Sequence, residues 1–76
     1  MTATNALKLR QQFADNLKEQ REKRGLTREK LAGKAGISTS YLFMLEAATR
    51  DPALPMIGRL ARALDVKPGA LLAERS

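Results

Sequence analysis

Seventy-six residues make one small domain, with no room for a second core. Fourteen Lys and Arg against eight Asp and Glu leave a formal net charge of +6, the basic balance expected of a nucleic-acid-binding domain. The chain has no cysteine and no histidine, which excludes disulfides, thiolate zinc sites, thiol nucleophiles and the commonest general base. At 43% hydrophobic the composition supports a packed core rather than disorder. No apolar run approaches the roughly 20 residues of a membrane span, and the first residues lack a signal-peptide core. The expectation is a single compact domain over residues 1–76, cytoplasmic and not membrane-bound.

Met1 to Ala6 is small and polar and reads as a frayed end. From Leu7 to Arg24, Leu9, Phe13 and Leu17 recur every four residues as one apolar helical stripe. Gly25 after the basic turn Arg21, Lys23, Arg24 is a stop signal. Thr27 is the expected N-cap of a second helix, Arg28 to Ala35, which Gly36 closes. Ser38 is the expected N-cap of a third, from Thr39 to about Ala47, with Leu42 and Leu45 facing inward. Only Gly36, Ile37 and Ser38 separate these two, the spacing of a helix-turn-helix with Ile37 plugging its corner. After the loop Thr49 to Leu54, Pro55 starts a fourth helix whose Ile57, Leu60, Ala61 and Leu64 form a full amphipathic stripe. Asp65 tolerates the left-handed stop, and Lys67-Pro68 begins a short last helix with Leu71 and Leu72. The pattern predicts an all-α domain of five helices, with the helix-turn-helix at about 27–46.

These residues resemble the lambda-repressor-like (Cro/Xre-type) helix-turn-helix domains over about residues 13 to 72. The resemblance rests on Phe13, Leu17, Arg21, Gly25-Leu26-Thr27, Leu31-Ala32, Gly36-Ile37-Ser38, Leu42, Leu45-Glu46, Arg50-Asp51-Pro52 and Leu60 to Leu64. It implies a compact five-helix fold, usually a homodimer, that sets its third helix in the major groove of a two-fold operator. The implied function is sequence-specific transcriptional regulation, as a repressor, with double-stranded DNA as partner. Ser38, Thr39, Ser40, Phe43 and Met44 map to base-facing positions, and 39, 40, 43, 44 and 47 share one helical face opposite Leu42 and Leu45. Arg28, at the family's usual glutamine position, and Thr49 and Arg50 map to phosphate contacts, which hold register without reading sequence. Arg21 and Glu46 map to a partly buried ion pair. Dimer contacts would come from the last helices, with Leu71, Leu72 and Met56 as candidates against the plainer reading of ordinary core.

Departures from the family pattern bear on specificity. Positions 39, 40, 43, 44 and 47 hold no Arg, Lys, Asn or Gln, so bidentate pairing to guanine or adenine is unavailable from this helix. What remains is hydroxyl contact and apolar contact with thymine methyls. Ala47-Ala48 replaces the family's Arg-Gly, which predicts a weaker stop and a longer third helix. The alternative function is a protein-interaction module, with Phe43 and Met44 docking on a partner protein. No enzyme signature is present: Ser38 and Ser40 have no histidine to activate them, and phosphate-loop and dinucleotide fingerprints are absent. No catalytic residue, metal ligand or cofactor is expected.

Overall fold

The computed structural model describes residues 3–75. Among these it has five helices and no strand: α1 (Ala3–Lys23), α2 (Arg28–Ala35), α3 (Thr39–Glu46), α4 (Leu54–Ala63) and α5 (Pro68–Leu72). The all-α, five-helix expectation holds. α1 packs on α3 and α5, α2 lies against both α3 and α4, and α4 packs on α5. The core they share includes fully buried Phe13, Leu17, Leu31, Leu42, Leu45, Leu60, Leu64 and Leu71, each contributing about 2 kcal/mol by leaving water.

The structure departs from the expected pattern in three places. Helix α1 begins at Ala3, where a frayed end was expected over Met1–Ala6; residues 1 and 2 lie outside the described residues. Asn5 to Leu9 are exposed, so this extension rests on the propensity of an alanine-containing stretch without glycine or proline. Leu9, expected to head the buried stripe, is 41% exposed. It rims an apolar groove with Phe13, Leu54, Ile57 and Leu72, because the first turns of α1 overhang the bundle. Leu71 is fully buried, in line with its reading as ordinary core, while Leu72 and Met56 are half-buried.

The third departure is at the end of α3, which stops at Glu46 and is not lengthened. The chain leaves it through Ala48 in the left-handed conformation, φ 58°. Ala48 N–H donates to the Leu45 carbonyl (3.2 Å) and Thr49 N–H to the Met44 carbonyl (3.1 Å), a Schellman closure with alanine where glycine is usual. Three other helices close in the same way, through Gly25 (φ 64°), Gly36 (φ 71°) and Asp65 (φ 56°). At Gly36 the turn is completed by Ile37 N–H on the Ala32 carbonyl (3.0 Å), and Ile37 packs against the core.

Helix α5 ends differently. Its last carbonyls are met by side chains of α1: the Asn16 amide donates to Leu71 (3.1 Å) and Ala73 (2.9 Å), and Gln12 donates to Leu72 (3.0 Å). Arg75 returns to Asn16 Oδ1 (2.7 Å) and to Glu19 (2.6 Å). Asn16 is buried, yet neither it nor any other buried side-chain polar atom among the described residues lacks a partner.

Candidate nucleic-acid interface

Two hydroxyl caps frame the helix-turn-helix. Thr27 Oγ1 accepts from Lys30 N–H (3.1 Å) at the start of α2, and Ser38 Oγ accepts from Tyr41 N–H (3.0 Å) at the start of α3. Each cap is worth about 1 kcal/mol. Ser38 thus stands at the entry of α3 with its hydroxyl committed to the backbone, and the first amides of α3 point outward beyond it.

From that start α3 divides by face. Leu42, Leu45 and Glu46 are buried; Ser40, Phe43 and Ala47 are exposed; Thr39 and Met44 lie half-buried between them. Phe43 is 55% exposed. Thr39, Ser40, Phe43 and Met44 therefore occupy one side of one helix, a side without charge. Tyr41 packs partly against the core.

Glu46 anchors the opposite side. Its carboxylate accepts from Arg21 Nε (2.7 Å) and Nη2 (3.1 Å) and from Arg28 Nε (3.1 Å). Only 2% of its side chain and 10% of that of Arg21 is exposed. Arg21 Nη1 also donates to the Leu26 carbonyl (2.8 Å), so this guanidinium joins α1, the turn after it and the end of α3. Its hydrogen bonds with Glu46 hold the Arg21 pKa above its already high ordinary value, against the opposing effect of burial. Bidentate geometry and a third donor offset the cost of removing both charges from water.

The three residues mapped to phosphate contact flank this helix. Arg28 bonds Glu46 through Nε and lies 5.3 Å from the centroid of the Phe43 ring. Arg50 lies 5.6 Å from the centroid of Tyr41. Thr49 Oγ1 donates to the Met44 carbonyl (3.2 Å), reinforcing the closure of α3. Both arginines are thus held against aromatic rings of α3 itself. Sequence reasoning missed these pairings, as it missed Asn16. Arg28 and Phe43 are fifteen residues apart on different helices, so no local spacing announces the contact.

Among the described residues, no group of three or more His, Cys, Asp or Glu is placed to hold a metal ion. No helix among them is long and apolar enough to cross a membrane.

The helix-turn-helix family HTH_3 matches residues 17–71. Among solved structures, the restriction-modification controller protein C.AhdI from Aeromonas hydrophila is 37% identical, with a TM-score of 0.80 over 82% of this chain and 94% of that one. The hypothetical transcription factor NHTF from Neisseria is 32% identical, with a TM-score of 0.83 over 86% of this chain and 75% of that one. The N-terminal DNA binding domain of SinR from Bacillus subtilis is 30% identical, with a TM-score of 0.78 over 83% and 93%. No curated protein sequence matches. With the motif intact from Thr27 to Glu46 and the family match spanning most of the chain, this protein belongs to the lambda-repressor-like, Cro/C1-type helix-turn-helix family of DNA-binding regulators.

Proposed function

We propose that this chain is a sequence-specific transcriptional repressor that binds a two-fold operator as a homodimer, with α3 in the major groove. The observation that carries the reading is the division of α3 into a buried anchored side and an uncharged exposed side, with an arginine flanking each edge. A major groove about 12 Å wide admits one such helix. Thr39, Ser40, Phe43 and Met44 face the bases in this reading, with Ser38 at the point of entry. Arg28, Thr49 and Arg50 meet phosphates. Because Arg28 Nε is committed to Glu46, its phosphate contact falls to the Nη groups. Similarity to a restriction-modification controller and to the DNA binding domain of SinR supports a regulator that acts by occupying its operator.

The homodimer has support in an exposed apolar feature. Leu54 is 81% exposed beside the groove lined by Leu9, Phe13, Ile57 and Leu72, about 330 Å³ in volume. A second copy covering this groove would remove that surface from water. Two-fold symmetry then sets half-sites about 34–36 Å apart. Cytoplasmic location follows from the DNA partner.

Binding to a duplex pool across a salt series is the test. A DNA-binding domain gives log K falling against log[salt] with a slope of about −0.9 per phosphate neutralised. Arg50→Ala weakens binding to all sequences alike, whereas Met44→Ala shifts preference between sequences. Absence of DNA affinity at low salt overturns the reading, and leaves exposed Phe43 as a protein-docking residue.

A further inference from the structure

We infer that Arg28 is a positioning residue that fixes Phe43 as a reader of pyrimidine C5-methyl groups, so that sequence discrimination by this chain rests on methyl groups rather than on hydrogen-bonded base edges. The inference rests on the DNA-binding reading above and names the chemical group that its base-facing side recognises.

The outward side of α3 offers hydroxyls at Thr39 and Ser40, small Ala47, half-buried Met44, and one large projecting ring at Phe43. Ser40 and Ala47 lie one turn before and one turn after Phe43 and are too small to shield it. A phenyl ring makes no hydrogen bond to a base edge. The apolar group that the major groove presents is the C5-methyl of thymine, and 5-methylcytosine carries the same group at the same place.

An exposed ring would ordinarily turn among rotamers and lose that freedom on docking. Here three groups in series restrict it. Arg21 grips Glu46 through two hydrogen bonds (2.7 and 3.1 Å), Glu46 accepts from Arg28 Nε (3.1 Å), and the Arg28 guanidinium lies over the Phe43 ring at 5.3 Å. One face of the ring is therefore occupied by a cation that is itself held at a buried carboxylate. The rest of the ring stays outward. Glutamine at position 28 would lack the planar cation needed to lie over the ring.

The test uses the full chain and the duplex it selects from a random pool. Each thymine is replaced in turn by deoxyuridine, which removes the methyl and leaves every hydrogen-bonding edge intact. Each cytosine is replaced by 5-methylcytosine in a second series. The expected result is a loss of about fourfold in affinity for deoxyuridine at one or more positions per half-site, the worth of one buried methyl. A gain of similar size from 5-methylcytosine at such a position would identify the methyl as cytosine-borne. Phe43→Ala abolishes the methyl effect at its position. Arg28→Ala and Arg28→Gln diminish that same ratio whatever they do to overall affinity, with the helical far-UV spectrum retained because Arg21 still pairs Glu46.

Affinity insensitive to both base replacements, with sequence preference retained, overturns this inference and leaves the DNA-binding reading standing. A full methyl effect in folded Arg28→Ala and Arg28→Gln proteins overturns the role of Arg28. Failure to bind any duplex at low salt overturns both readings together.

Discussion

Helices α2 and α3 are each eight residues long and each start from a hydroxyl cap in extended backbone. Their sequences and their endings differ. α2 is largely charged and stops at Gly36, a residue with no Cβ to resist φ 71°. α3 is uncharged apart from Glu46 and stops through Ala48 at φ 58°, a conformation costing an L residue about 1–2 kcal/mol. Local chemistry suffices to end α2. The end of α3 is imposed from outside, because Leu45 must enter the core while Glu46 reaches Arg21 and Arg28. A stop that tertiary contacts enforce is one that composition does not announce.

Breaking the anchor of α3 gives the largest effect. Glu46→Ala leaves the Arg21 guanidinium buried with only the Leu26 carbonyl as partner, and is expected to destabilise by about 3 kcal/mol. In thermal denaturation of a domain this size, that loss appears as a fall of at least about 10 °C. The paired stops come next and move in opposite directions. Gly36→Ala meets nothing nearer than Arg59 Nη1 at 3.9 Å, so its loss of about 1–2 kcal/mol is backbone strain alone. Ala48→Gly relieves the same strain and is expected to raise stability by up to about 1 kcal/mol in urea titration. A loss of stability in Ala48→Gly would mean that the turn is not strained.

The shared beginnings sharpen the comparison. Thr27→Ala and Ser38→Ala each remove one cap hydrogen bond and are expected to cost about 1 kcal/mol apiece. Unequal losses in chemical denaturation would show that the two starts are less alike than their geometry.

Acid gives the smallest effect, and it lies outside both helices. Hydrogen bonds from Arg75, then Lys23, hold the Glu19 pKa below its ordinary value, and one from Arg10 does the same for Asp51. A carboxyl with a lowered folded pKa stabilises the fold above the ordinary carboxylate range, and that contribution is lost as pH falls through the lowered value. Both pairs are exposed to solvent, so the loss is small and salt removes it. With no histidine in the chain, the melting temperature is expected to stay level between about pH 8 and pH 5 and to decline only in stronger acid. A transition inside that range in a pH series of melting curves would contradict the assignment.

Much of the fold was legible because its signals are local. Thr27 and Ser38 declare helix starts, Gly25 and Gly36 declare stops, and the Ile57, Leu60, Ala61, Leu64 spacing declares a buried face. The exposed side of α3, proposed to face the bases, follows from the same periodicity that buries Leu42 and Leu45. What escaped depends on partners distant in the chain. Asn16 looks like any polar residue on a charged helix, and only α5, more than fifty residues away, gives it a reason to be buried. Arg28 resembles a solvated charge until α3 brings Phe43 beneath it. Leu9 keeps the helical rhythm of the core but lies where the bundle has already ended.

The capping of α5 bears on how the chain folds. Five residues are too few to sustain a helix alone, and here the terminal carbonyls of that helix are completed by Gln12 and Asn16 on the first helix of the chain. α5 also packs on α4, but its terminal carbonyls meet the Gln12 and Asn16 side chains only once α1 has docked. Contacts of such high sequence separation close a large loop and raise the contact order of an otherwise local helical fold. Helices α1 and α5 thereby tie the two ends of the described chain together around the helix-turn-helix that lies between them in sequence.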